Sequence, residues 1–359
     1  MLPYFFANFL ALALFYAGYK QKLSDNARYL FLLLCAIPLI VIAGFKFRKI
    51  GTDSGTYVYF FDNIVTFKDA FKMAQEHGEV GYWSLSAIGH LWTDNYYALF
   101  TLTACIVTAC YLYVIKQFNL KTLSFFTLLF IGPFYFQLNG NRQAISIAIF
   151  AISTLFIIKE QPIKYLVSIA IGFLFHKSMI LCLPLYFMFR GNIKPRKIAL
   201  ILFAFVVFIV FFQTFISIAS GIDSRYSGYG TKRSESGGVL VSMFNIVLFA
   251  WFFMVRMTNT RALANRRFDV LLALNFLGVL VSIISIILRI DPSGFLRLSV
   301  YFTQLNMFLL PMTIMSFRDT QTRLILIFAG CALMMAYFFM TMSTFSNLTP
   351  YRFNPILGL

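Results

Sequence analysis

Charge is what this chain has least of. Only 12% of its 359 residues are Asp, Glu, Lys or Arg, about half the share of an ordinary soluble domain. Thirteen acids and three histidines leave little from which to build a metal centre, and the histidines lack ligand-like spacing, so no dedicated metal site and no cofactor is expected. The five cysteines, Cys35, Cys105, Cys110, Cys182 and Cys331, all fall inside apolar runs and read as small core residues rather than disulfides. The sequence holds no Walker motif, no HExxH, no GxSxG and no acidic pair suited to a nucleotide-sugar metal site, which disfavours a hydrolase or a nucleotide-driven machine. No repeat of solenoid period and no low-complexity tract is visible. A basic leader is also missing ahead of residues 2–19, so this run reads as a retained first span rather than a cleaved signal.

Apolar residues are plentiful. They make up 60% of the chain, mean hydropathy is +0.79, and runs of about 17–22 residues, the length that crosses a hydrocarbon core, recur throughout. The chain therefore reads as all-α, a polytopic transmembrane bundle forming one membrane domain over 1–359. About twelve spans are expected, near 2–19, 29–45, 95–115, 122–137, 143–158, 163–175, 178–189, 198–219, 238–256, 268–290, 298–315 and 323–343. The sixth and seventh are short and resemble a hairpin broken at Phe175-His176-Lys177-Ser178, as occurs beside protein-enclosed cavities.

The net charge of +17 does not gather in one patch, so no nucleic-acid partner is expected. Alternate short loops hold seventeen of the thirty cations but only four of the thirteen acids, and by the positive-inside pattern they are cytoplasmic. Both termini then lie outside, together with the segments 46–94, 139–142, 221–238 and 289–297 and all three histidines.

The 46–94 segment reads as a long outer loop with short interfacial helices, one of them amphipathic over 67–74. It begins with Arg48-Lys49-Ile50-Gly51-Thr52-Asp53-Ser54-Gly55-Thr56-Tyr57, where polar chemistry crowds against a membrane edge. Asp53 on that glycine-flanked turn is either a base or substrate carboxylate, or a helix N-cap. Arg142, ahead of Gln143, opposes the dipole of the helix it opens. It either binds phosphate or snorkels to headgroups. His176 is either a proton acceptor or sugar contact, or a cap holding a broken helix. Arg289 and Arg297, followed by Tyr301, either clamp a diphosphate or have Asp291 as a partner. The stretch 221–237, with Arg225, Lys232 and Arg233, reads as a mobile lid or a disordered surface loop. Outward cations without a nucleotide motif suggest a substrate in the outer leaflet that brings its own phosphates.

The order of these features resembles the EpsG family of Wzy-type polysaccharide polymerases. The resemblance rests on Gly51-Thr52-Asp53-Ser54-Gly55-Thr56-Tyr57, Asn141-Arg142-Gln143-Ala144, Phe175-His176-Lys177-Ser178 before Leu183-Pro184, Arg297-Leu298-Ser299-Val300-Tyr301-Phe302 and Pro350-Tyr351-Arg352-Phe353. It covers nearly the whole chain, and the order carries more than any one motif. It implies polymerisation of undecaprenyl-diphosphate-linked oligosaccharide repeats on the outer side of the bacterial cytoplasmic membrane, with related roles for Asp53, Arg142, His176 and Arg297. The expected chemistry is metal-independent, inverting glycosyl transfer. Arg142, Arg289 and Arg297 would hold the diphosphate, with Arg48 and Lys49 in reserve, and Asp53 or His176 would take the acceptor proton. Membrane lipids are partners, and a chain-length regulator is a candidate one. A lipid-linked oligosaccharide flippase or a membrane O-acyltransferase are the alternatives.

Overall fold

A computed structural model describes residues 1–20, 23–191, 195–222, 238–259, 263–289 and 294–358. Among these the regular structure is all helical, with one isolated antiparallel bridge between Lys46 and Phe353. The chain divides into two compact units. The first holds Met1–Phe156, Gln161–Leu183 and Leu324–Leu359, and the second Ile157–Glu160 with Pro184–Arg323.

In the first unit α1 (Leu2–Lys20) and α2 (Asp25–Gly44) form an antiparallel pair. Ser24 caps α2 by accepting a hydrogen bond from the Ala27 N–H, at 3.3 Å, and Asp25 adds a carboxylate to the first turn. Three short helices follow, α3 (Ser54–Asn63), α4 (Phe67–His77) and α5 (Val80–His90), then α6 (Tyr97–Lys116) and α7 (Lys121–Ile131). The segment 46–94 is thus mostly helical. A capping box between Thr66 and Asp69 starts α4, which leaves Phe67 and Phe71 exposed. Gly44 lets α2 approach α6, because a Cβ there would collide with Thr101. A 3-10 turn, Phe134–Leu138, leads to α8 (Asn141–Ile158), followed by α9 (Pro162–Phe175). At His176 the backbone is extended (φ −156°, ψ 125°), and a 3-10 turn follows over Lys177–Cys182. The expected break at 175–178 is therefore present.

Tyr hydroxyls bind the C-terminal segment back onto the first helices. Tyr4 donates to the Leu348 carbonyl at 2.7 Å, and Tyr351 donates to the Ile42 carbonyl at 2.8 Å. Tyr4 packs edge-on against both Tyr135 and Tyr351. At the opposite end, the Lys116 ammonium donates to the Tyr29 hydroxyl at 3.0 Å, and Lys121 lies over the Tyr19 ring. The α1–α2 and α6–α7 links therefore share one end of the unit, where Lys20, Arg28, Lys116 and Lys121 lie.

The second unit contains α10 (Leu185–Phe189), α11 (Pro195–Val210), α12 (Phe212–Ile222), α13 (Val239–Thr258), α14 (Arg266–Ile287), α15 (Val300–Thr303) and α16 (Asn306–Met315). The last long helix, α17 (Thr320–Thr344), belongs mainly to the first unit. A chain of amides crosses the interior of the second unit. Asn275 donates to Asn306 at 3.0 Å, and Asn306 donates to Asn245 at 2.9 Å, all three fully buried. Two of the amide oxygens are satisfied in this way where no water competes, while Asn275 Oδ1 is buried without a partner among the described residues. Near the helix ends, Arg256 forms a two-pronged pair with Asp269.

The span count differs from about twelve. Among the described residues seven helices are long and apolar enough to cross a membrane, or up to eight if the pair 295–303 and 306–315, bent by 41°, is one span. The remaining apolar runs are short or broken: α7 stops at Gly132, α9 at His176 and α11 at Phe211. Hydropathy registers such runs without registering the breaks at Gly132 and Phe211. Cys105, expected in the core, is exposed on α6. Arg225, Lys232 and Arg233 of the expected lid, and Asp291, lie outside the described residues.

Replacing Asn306 with Ala leaves two buried amides short of a partner. It is expected to lower stability by roughly 1–2 kcal/mol in a detergent-micelle unfolding titration.

Candidate active site

Five consecutive residues between the Phe134–Leu138 turn and α8 meet four other parts of the first unit. The Leu138 carbonyl accepts from the Lys46 ammonium at 2.5 Å. The Asn139 side-chain oxygen accepts from the Thr52 hydroxyl at 2.8 Å and the Asp53 N–H at 3.0 Å, while its amide nitrogen donates to Ser346 at 3.2 Å. Gly140 lies against the Phe136 ring. Asn141 accepts from Thr103 at 2.6 Å and from the Tyr82 hydroxyl at 3.4 Å. Arg142 then turns to Glu79.

Glu79 was not foreseen. Its side chain is 0% exposed, with Arg142 Nη1 at 2.5 Å from one carboxylate oxygen and His176 Nδ1 at 2.7 Å from the other. The Lys177 N–H donates to the same oxygen as His176, at 3.2 Å. A buried carboxylate needs paired charge and filled lone pairs, and here it has both. Glu79 precedes α5 in the left-handed conformation (φ 64°, ψ 41°), which a residue with a side chain seldom adopts. The Trp83 indole N–H holds that turn by donating to the Gly78 carbonyl at 2.6 Å.

The guanidinium of Arg142 is walled by aromatic rings. Its Cζ lies 5.2 Å from the Trp83 ring centre, 5.8 Å from Tyr57 and 6.0 Å from Tyr82. Nε is buried with no hydrogen-bond partner among the described residues. Arg142 and His176 are each 18% exposed at the side chain, so the cluster reaches the surface through those two groups. Bonding of Nδ1 to Glu79 sets the imidazole tautomer and makes Nε2 the basic nitrogen when the ring is neutral.

Asp53 sits at the start of α3, yet its side chain makes no cap hydrogen bond. Its backbone carbonyl accepts from the Thr56 and Tyr57 N–H groups, and Thr52 Oγ1 lies 3.3 Å from its carboxylate. The turn before it is fixed by Gly51, at φ +88°, where a Cβ would collide with the Leu138 carbonyl oxygen. Tyr57 and Gln143 are buried, whereas Arg48 and Lys49 are exposed. The Arg48 N–H donates to the Tyr96 hydroxyl at 3.1 Å.

Arg289 and Arg297 belong to the second unit. Arg289 is exposed and left-handed (φ 51°) at the end of α14; Arg297 is half-buried in the Phe295–Ser299 turn; Tyr301 is buried. The two remaining histidines have local roles. His90 stacks on Phe61 and contacts Asp94 at 2.9 Å, and His77 is half-buried beside Glu76. Asp53, Arg142, His176, Tyr57 and Gln143 thus lie within one unit around α8.

A signal for Glu79 did exist: Gly78-Glu79-Val80-Gly81 flanks a carboxylate with glycines, as Gly51-Thr52-Asp53-Ser54-Gly55 does. Only the fold reveals which cations it meets. A family model described as the EpsG family matches residues 28–353. No curated protein and no solved structure matches the chain.

Truncating Glu79 to Ala strands Arg142 and His176. It is expected to destabilise the protein by about 3–5 kcal/mol, the usual result of removing one partner from a buried pair. Glu79→Gln, which keeps shape and an acceptor oxygen, should cost less. Thermal unfolding of the two purified variants measures the difference.

Proposed function

From its membership of the EpsG family, whose members are Wzy-like polysaccharide polymerases, we propose that this chain joins lipid-linked oligosaccharide repeats on the outer face of the bacterial cytoplasmic membrane. The observation that carries this reading is the Arg142–Glu79–His176 cluster, reaching the surface at the edge of an apolar bundle. Its surroundings support the proposed sidedness. The cation-rich α1–α2 and α6–α7 links share one end of the first unit, while α2 leads out of the other end into Lys46 and the Asp53 turn.

The growing glycan on an undecaprenyl diphosphate is the donor, and a hydroxyl on the terminal sugar of a second lipid-linked repeat is the acceptor. The acceptor oxygen attacks the anomeric carbon, the bond to the diphosphate breaks, and that bond's electron pair leaves with the diphosphate. Attack opposite the leaving group inverts the anomeric centre. The acceptor proton passes to His176 Nε2, and Glu79 at 2.7 Å from Nδ1 balances the imidazolium that forms. Asp53 is the second candidate for this proton and a sugar contact. Arg142, half shielded by Trp83, Tyr57 and Tyr82, gives one nitrogen to Glu79 and offers positive charge where the diphosphate departs. The aromatic walls suit the apolar faces of a sugar ring. Arg48 and Lys49 offer exposed cations beside the Asp53 turn. Arg289, Arg297 and Tyr301 are proposed as substrate contacts in their own unit, which single substitutions test independently.

Arg142→Ala, His176→Ala and Arg297→Ala are each expected to abolish long polymer while single-repeat products accumulate, read by gel profiles of cell-surface glycan at matched membrane abundance. Wild-type chain lengths from all three would overturn the mechanism. A membrane-impermeant thiol reagent applied to intact cytoplasmic-membrane vesicles of known orientation should label Lys49→Cys from the outer side only and Lys121→Cys from the inner side only.

A further inference from the structure

Lys46 is the one lysine among the described residues whose side chain is completely buried. It sits two residues beyond α2, where a cation would ordinarily extend to water. Instead its ammonium faces inward and meets three oxygens: the Leu138 carbonyl at 2.5 Å, Ser54 Oγ at 2.5 Å and the Ile50 carbonyl at 3.1 Å. The Phe100 ring from α6 covers it, with Nζ 4.2 Å from the ring centre. No carboxylate pairs with it among the described residues. An ammonium has three donors, and the fold supplies three acceptors.

Those acceptors come from two sides of the site. Ile50 and Ser54 belong to the turn that presents Asp53, and Leu138 precedes Asn139 and Arg142. We propose that Lys46 is a positioning residue whose buried positive charge fastens the Asp53 turn to the start of α8, setting Asp53 against Arg142 for glycosyl transfer. The proposal rests on the polymerase reading for its activity readout alone.

The geometry carries a proton dependence. Burial pushes Lys46 down to about 7, and the charge on Asp53 works in the opposite direction. Asp53 is the charged group acting on it. From α6 it meets Phe100, from the turn before α8 the Leu138 carbonyl, and from the C-terminal segment Phe353, none of which titrates. Arg48 and Lys49 follow on the exposed side. When the proton leaves, the Ser54 hydroxyl, which also lies 2.5 Å from the Ile50 carbonyl, can turn to donate to the amine. Nothing is then stranded, but one fastening of the turn is lost.

Stability and activity should therefore respond to pH with opposite signs. An unfolded lysine keeps its proton to about pH 10. From pH 7 upward the unfolded chain thus binds more protons at this site than the folded one, and the contribution of Lys46 to stability rises with pH. Polymer formation should fall across the same range as the fastening charge disappears. A lysine that only fills space would give no such opposition.

The test uses the full chain in lipid nanodiscs, comparing wild type with Lys46→Met, which keeps the length of the side chain without its charge. At pH 6 the variant should make about tenfold less polymer or lower, since small misplacements at a reacting centre have effects of that order. Wild-type activity should decline as pH rises through about 7, and the variant should lack that limb. The melting temperature of wild type relative to the variant should climb between pH 6 and 9. A variant as active as wild type, or one keeping the same alkaline limb, would overturn the proposal. A second arm needs no polymerase activity. Thr52→Cys with Asn139→Cys, whose native side chains lie 2.8 Å apart, should form a disulfide readily under mild oxidation. Adding Lys46→Met should slow this about tenfold; unchanged cross-linking would count against Lys46 even if wild type made no polymer and the functional reading itself failed.

Discussion

A carboxylate removed from water is the constraint that the first unit is built to satisfy. Glu79 has no exposed side-chain surface, and an isolated charge in such a place is too unfavourable to persist. A guanidinium and an imidazole, supplied by residues 63 and 97 positions further along the chain, resolve this. Each partner sets a local feature. The opening of α8 carries an arginine against its own dipole because Glu79 lies in front of it. The break after α9 falls where His176 and the Lys177 N–H can both reach the same oxygen. The left-handed backbone at Glu79, unfavourable by itself, delivers the carboxylate to them.

Around this cluster the backbone is held by polar side chains rather than by strands. Leu138 and Asn139 bond the turn between α2 and α3, Asn141 bonds α6, and Arg142 bonds Glu79. Irregular backbone in an apolar bundle is tolerated when protein groups fill its hydrogen bonds, and here they do. The second unit uses another device: the Asn275–Asn306–Asn245 chain links three helices through neutral amides, and the Arg256–Asp269 pair stays near helix ends. The first unit spends its buried charge at a site, whereas the second uses buried dipoles for association.

Much of this was legible in the residues. Long apolar runs fix helices, because only a helix satisfies its own backbone in lipid. Asp53, Arg142 and His176 stand out as ionisable groups where apolar runs begin or break, and the fold brings these three into one unit. The number of crossings was less legible. Gly132 and Phe211 interrupt helices without lowering hydropathy enough to divide the runs, and the break at His176 leaves two short pieces, so counting runs overstates straight spans. The partners of Glu79 and Lys46 were illegible for a different reason. Each of these two residues looks like an ordinary loop charge until a partner distant in sequence arrives, and no local pattern encodes that pairing. The N-cap reading of Asp53 holds for its position at the start of α3 but not for its side chain, which makes no cap hydrogen bond.

The C-terminal segment closes this end of the first unit. Arg352 accepts from the Phe47 N–H, Asn354 donates to Phe45 and Asn95, Ser346 receives Asn139, and Asn347 receives the Gly51 N–H. Residues made late in translation thus complete a wall whose other members were made some three hundred residues earlier. A chain ending before Ser346 would keep every long helix yet leave the Gly51 N–H, the Asn139 amide and the Phe47 N–H without the partners they have here.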